Sequence, residues 1–269
     1  MKKMKGNHKL GITLSVIGIL TGLLVLFIFA SIYAPNIQGK IEGARPDEAI
    51  TVQIVFALLG WLGVTAGALW VAVLYGFANK TNWAWFLGTV AATIQILSGF
   101  FPMIPAASIG LPTPTVFIFL VGFFLWFGML FIGGVDKKIV TVAFASGLAY
   151  VLTFIDGVGA ISRFQTVPKG FEYGMYAMSQ MVNWLGAIAW AVFILALVKR
   201  KSWILPMGVF AASMSIFGGF PVGLTDIMAV KQGSFSMFLV APIISTIMLI
   251  YFLRPGTKKL ITSWIQKED

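Results

Sequence analysis

The sequence predicts an all-α integral membrane protein: eight transmembrane helices in two similar four-helix halves, a parallel internal repeat, with both termini cytoplasmic. Three observations predict it. The chain of 269 residues is 59% hydrophobic and only 10% charged, where a soluble domain carries about 25% charged residues. So little charge cannot cover a surface for water. The apolar residues fall into runs near or above the ~20 that cross a ~30 Å hydrocarbon core. Finally, WAWFLGTVAATIQILSGFFP at 83–102 returns as WILPMGVFAASMSIFGGFP at 203–221. Trp83 falls over Trp203, Gly88 over Gly208, Ala91-Ala92 over Ala211-Ala212 and Gly99-Phe100 over Gly219-Phe220. An echo at one offset inside spanning segments is the signature of duplication.

The expected first half is 1–134, with spans near 10–34, 50–78, 83–101 and 116–132. The second is 135–253, with spans near 139–159, 175–198, 203–224 and 235–253. A basic segment opens the chain. The first run is too long for a signal-peptide core of about 7–15 residues and is read as a retained span. Gly11, Ser15, Gly18 and Gly22 give it a small face for close helix packing. The second span holds Gly60, Gly63 and Gly67, and Asn79-Lys80-Thr81-Asn82 turns the chain into the third. PMIPAASIGLPTPT at 102–115 links to the fourth, as a surface loop or a segment lying back in the interface. Two polar stretches, 35–48 and 160–174, are expected as long loops. The tail 254–269 reads as a cytoplasmic amphipathic helix on the lipid surface, with Leu260, Ile261, Trp264 and Ile265 on one side.

Orientation follows from the basic residues. Only Lys40, Arg45, Arg163, Lys169 and Lys231 of the 19 fall on one side of the expected spans; the other 14 share the side of both termini. That side is the cytoplasm, and the plasma membrane is the expected location. The excess of +10 is thus absorbed by topology, and nucleic acid is not an expected partner. The expected partners are the lipid bilayer and other membrane subunits or further copies of the chain. Spans two to four also pair with six to eight through Trp61-Leu62-Gly63 over Trp184-Leu185-Gly186 and Phe119-Leu120-Val121 over Phe238-Leu239-Val240. An even number of spans per half gives both halves one orientation.

Composition narrows the chemistry. There is no cysteine and one histidine, His8. Thiolate sites, disulfides and clustered-histidine ligation of haem, copper or di-iron drop out. No phosphate loop, HExxH or GxSxG is present. No catalytic residue, metal or cofactor is expected, and the chain is not expected to be an enzyme.

Charged and amide side chains within spans mark function by default. Asp156 is the foremost candidate, with Tyr150 and Thr153 at helical spacing on its span. Asp226, Gln95 and Asn183 complete the expected solute-binding set. Arg163, Lys169 and Glu172 are the expected contacts on the outer loop. Together these suggest a transporter or channel-like protein for a small neutral, amphipathic or lipid-like solute, with its site between the halves toward the outer leaflet. The alternative is a non-catalytic subunit of a larger membrane complex, whose small faces serve only packing.

Overall fold

The computed structural model describes residues 7–43, 46–107 and 109–266. The expectations resting on Lys2, Lys3, Lys5, Arg45, Lys267, Glu268 and Asp269 lie outside the described residues. Among the described residues every regular element is helical. The chain divides into two compact units, one ending at Val135 and the other beginning at Asp136.

The first unit contains α1 (His8–Glu42), α2 (Pro46–Ala78), α3 (Ala84–Phe100), a short α4 (Met103–Ala107) and α5 (Val116–Ile132). The long helices close a ring: α1 packs on α2, α2 on α3, α3 on α5 and α5 on α1. The second unit contains α6 (Lys137–Thr166), α7 (Phe171–Val198), α8 (Ile204–Ala229), α9 (Val240–Leu253) and α10 (Pro255–Gln266), with a 3-10 turn at Met237–Leu239 before α9. Its ring runs α6, α7, α8, α9 and back to α6.

Helix ends follow the local chemistry. Asn7 caps α1 by accepting from the Leu10 amide at 3.2 Å, and Asp136 caps α6 by accepting from the Lys138 amide at 2.9 Å. At the other end of α2, the Lys80 amide donates to Phe77 O and the Thr81 amide to Gly76 O, at 3.1 and 2.9 Å. After α7, Arg200 donates to Leu197 O and Lys201 to Ala196 O, at 3.3 and 3.0 Å. Each pair of bonds satisfies two carbonyls that a helix end leaves open, and each needs one left-handed residue. That residue is Lys80 at φ 56° and Arg200 at φ 52°. Left-handed backbone costs a residue with a Cβ about 1–2 kcal/mol. Lys80→Gly is therefore expected to raise the apparent Tm slightly in a thermal melt, since Lys80 is exposed and no packing is lost.

Small residues set the helix separations. A Cβ on Gly22 would collide with Gly67 Cα, and one on Gly67 would lie 2.9 Å from Gly22 Cα, so α1 and α2 touch backbone to backbone. Farther along α1, Gly18 faces the ring of Trp70 and Gly11 that of Phe77. The outward faces are apolar as well: Trp61, Phe124 and Phe131 on the first unit, and Met178, Ile188 and Phe217 on the second, are exposed. Exposed apolar surface on this scale matches a lipid solvent, not water. The protein is a multi-pass helical membrane protein.

The structure changes several expectations. Among the described residues six segments are long and apolar enough to cross a membrane, and seven if the bent pair Met237–Leu253 and Pro255–Gln266, meeting at 76°, counts as one. Helix α5, with 17 residues, and α9, with 14, fall short of the ~20 residues that cross a hydrocarbon core. The expected long loops are mostly helix. Helix α1 runs through Pro35 to Glu42 and α2 begins at Pro46; α6 continues to Thr166 and α7 begins at Phe171. Polar composition was misleading there because a helix can extend past the bilayer into water with every backbone bond intact. In the first of these extensions Lys40 and Glu48 pair at 2.7 Å, with side chains 4% and 8% exposed. The linker after α3 includes α4, and Ile109 and Leu111 beyond it face Gly39 at the end of α1. That contact puts the linker against the end of a long helix. The tail is helical, but its apolar side faces protein: Thr257, Ile261 and Trp264 are buried, and Trp264 Nε1 donates to Leu197 O at 2.8 Å. Arg200 stacks 4.2 Å above the Trp264 ring.

Candidate functional site

In the second unit the inward stripes of the four helices alternate steps of three and four residues, the spacing that keeps a helix facing its neighbours. Helix α6 presents Ala149, Thr153, Asp156 and Ala160, all buried. Helix α7 presents Tyr176, Ser179, Asn183, Gly186 and Trp190; α8 presents Ser215, Gly218, Val222 and Asp226; α9 presents Ala241, Ser245 and Met248. Polar residues recur down these stripes, so the unit has a polar column rather than an apolar seam.

At its base Thr153 Oγ1 and Ser215 Oγ lie 2.6 Å apart, and Ser245 Oγ donates to Ser215 Oγ at 2.8 Å. Three helices thus meet through hydroxyls. Gly186 completes the layer, since a Cβ there would lie 3.2 Å from Thr153 Cγ2 and 3.3 Å from the Ser215 amide.

One step toward the Asp226 end is the layer of Asp156, Asn183 and Gly218. A Cβ on Gly218 would come 2.5 Å from Asn183 Oδ1, and one on Gly157 would strike Trp184. Asp156 is 3% exposed and Asn183 is fully buried. Asp156 Oδ2 and both Asn183 Nδ2 and Oδ1 have no hydrogen-bond partner. The indole Nε1 atoms of Trp184 and Trp190 are also unpartnered. An unsatisfied buried polar atom costs about 1–3 kcal/mol, and more if charged. A membrane interior offers no water to relieve it.

Above this layer Ala160, Tyr176 and Val222 form an apolar plug, flanked by Phe164, Val167 and Phe238. Beyond the plug sits Asp226, 1% exposed. Arg163 Nε lies 2.7 Å from its Oδ1, Tyr176 Oη donates to the same oxygen at 3.5 Å, and Ser236 Oγ donates to Oδ2 at 2.6 Å. One carboxylate ties α6, α7, α8 and the segment before α9 together.

No protein-family model, curated protein or solved structure matches the chain.

The residues singled out from sequence separate into five places. Asp156, Asn183 and Thr153 share the column of the second unit. Tyr150 leaves the stripe, where the buried position is Ala149, and is only half-buried. Asp226 and Arg163, taken from sequence as a solute ligand and a loop contact, are instead partners in one ion pair. Lys169 and Glu172 are exposed at the connection between α6 and α7. Gln95 belongs to the first unit, where its Oε1 accepts from Trp70 Nε1 at 2.9 Å. Both residues are fully buried, so that bond is a joint between α2 and α3. Ser98 adds another by donating to Leu59 O at 2.8 Å.

Sequence reading passed over Ser245 and Ser236. Ser245 carried a faint signal: with Ala241 and Met248 it makes a three-four spacing along the last span. Ser236 carried none, because nothing local marks a serine at the start of a span as the partner of a distant carboxylate.

Proposed function

We propose that the protein is a membrane carrier whose second helical unit receives a small polar solute, and that it performs no covalent chemistry. The observation behind this reading is the pairing, in one layer, of a buried carboxylate and a buried carboxamide whose polar atoms are left unsatisfied. A structural core satisfies such atoms or omits them. A site that fills and empties leaves them waiting. They favour a polar guest over a lipid-like one, despite the scarcity of charge elsewhere in the chain.

In this reading the chain crosses the membrane eight times as a duplicated four-helix unit, with Lys137 at the cytoplasmic end of α6. The excess of lysine and arginine at that end supports the orientation. The left-handed Lys80 and Arg200 support duplication, since they stand 120 residues apart in the same pattern of backbone bonds. At that offset, three residues short of the one that sets Trp61 over Trp184, Gly63 matches Asn183 and Ser98 matches Gly218. A Cβ on Gly63 would strike Ser98, while one on Gly218 would meet Asn183. The large and small partners have changed places at equivalent crossings. Trp70 likewise matches Trp190, and Gln95 matches Ser215, too short to serve as the acceptor that Trp70 has. The first unit joins α2 to α3 through the Trp70–Gln95 bond, with Gln95 Nε2 left over, and the second has exchanged that bond for a site.

The Asp226 end would be the outer entrance, closed by the Arg163 pair and the Tyr176 plug. The chain lacks cysteine, so thiol probes need no background removed. Ser179, one turn from Asn183 toward Asp226, is 5% exposed. A small charged methanethiosulfonate added outside intact cells is expected to label Ser179→Cys, slowly at first and at least tenfold faster when Arg163→Ala is added. Exposed Ser234→Cys serves as the positive control. No labelling at Ser179→Cys in either background, with Ser234→Cys fully labelled, would leave the packing-subunit reading.

A further inference from the structure

We propose that the Asp156 layer is a binding site for a monovalent alkali cation, an inference that rests on the carrier reading above and names what that site holds. The donors that this depth offers are oxygens: the Asp156 carboxylate and Asn183 Oδ1, with the Thr153 and Ser179 hydroxyls one step below and above on the same stripes. Neither thiolate nor imidazole lies among them. Hard oxygen ligands suit alkali and alkaline-earth ions.

Charge balance decides between those classes. When ionised, Asp156 supplies one negative charge, and the stripes of α6 to α9 bring no other charge to its layer. A monovalent cation neutralises the layer. A divalent one would leave a net positive charge in a low dielectric, where its desolvation is not repaid. Among the described residues no group of three or more His, Cys, Asp or Glu is placed to hold a metal. A site with one carboxylate and neutral oxygens is therefore the kind this unit can build.

A cationic side chain does not fill the position instead. The nearest one along α6 is Arg163, two turns or about 10 Å away, and its guanidinium is committed to Asp226 at 2.7 Å. That commitment gives the two acids different tasks. Asp226 has a resident cation and two hydroxyl donors, while Asp156 Oδ2 and the Asn183 carboxamide in its layer have no partner in the protein.

The test uses the full-length protein in mild detergent, melted in LiCl, NaCl, KCl or choline chloride at one ionic strength. At least one alkali ion is expected to raise the apparent Tm saturably, by about 5–10 °C at a hundredfold above its Kd. Asp156→Asn, close to isosteric, is expected to abolish the shift, and Asn183→Leu to weaken apparent affinity at least tenfold. Thr153→Val provides a second variant if Asp156→Asn does not fold. The same ion should slow thiol labelling of Ser179→Cys. Labelling that no alkali ion alters, together with a flat Tm series, would overturn the cation and leave the carrier standing. A Tm response that survives in Asp156→Asn, or one to pH alone, would overturn it too. An Asp156-dependent Tm response with Ser179→Cys sealed would keep the ion as a structural one and overturn the carrier.

Discussion

Alanine in place of Gly22 is expected to destabilise the first helical unit by about 3 kcal/mol, the upper part of the range for overpacking a tight contact. The added methyl would land against Gly67 Cα, and the facing atom is backbone, which cannot rotate aside. Relief requires α1 and α2 to separate along their length. The contacts at Gly18 with Trp70 and at Gly11 with Phe77 would loosen with them. In lipid no hydrophobic force drives helices together, so close packing supplies most of the association. Gly147 on α6 is the internal control, since a Cβ there meets nothing within 4 Å. Gly147→Ala should stabilise by about 0.5–1 kcal/mol through helix propensity alone. Thermal melts of both variants in one detergent measure the contrast. A Gly22→Ala protein as stable as the parent would refute the backbone contact.

Replacing Arg163 with methionine should cost about 3 kcal/mol. Breaking a buried ion pair by removing one partner costs about 3–5 kcal/mol, because the remaining charge stays buried. The lower end applies here, since the Arg163 side chain is 28% exposed while Asp226 is 1% exposed. Tyr176 and Ser236 still donate to the carboxylate and soften the loss. Asp226→Asn in the same chain removes the orphaned charge, so the double variant should recover more than half of the lost stability. A double-mutant cycle read from denaturation midpoints gives the coupling directly. Strict additivity of the two substitutions would show that the pair contributes nothing to stability, and would remove Arg163 as the closure of the column. Labelling at Ser179→Cys would then have to be limited elsewhere.

Much of the fold was legible along the chain because lipid imposes a severe rule: each crossing must bond its own backbone and face hydrocarbon. The long apolar runs, the glycines at three- and four-residue spacing and the short turns at Lys80 and Arg200 all express that rule locally. Polar helix ends escape it. There the polar residues from Pro35 to Glu42 and from Ala160 to Thr166 continue as helix, although their composition reads as loop. The tail went astray for a related reason. Its amphipathic pattern specified an apolar side but not what would cover it, and Trp264 found the Leu197 carbonyl.

The candidate residues show the same division. Asp156, Asn183 and Asp226 stand out in sequence because charge and amide are costly inside a membrane. Which polar groups are already paired is a question about neighbours 25 to 63 residues away, and periodicity along one helix carries no such information. Arg163 meets Asp226, Gln95 meets Trp70, and Ser215 joins Ser245 to Thr153 only once the helices have packed. The sequence by itself determined a lipid-dissolved helical chain and the short set of polar groups buried in it, since both follow from the cost of moving each residue out of water. Only the tertiary structure decided which groups are satisfied and which are vacant, because a hydrogen bond or ion pair depends on distance between chains of atoms that folding alone brings together.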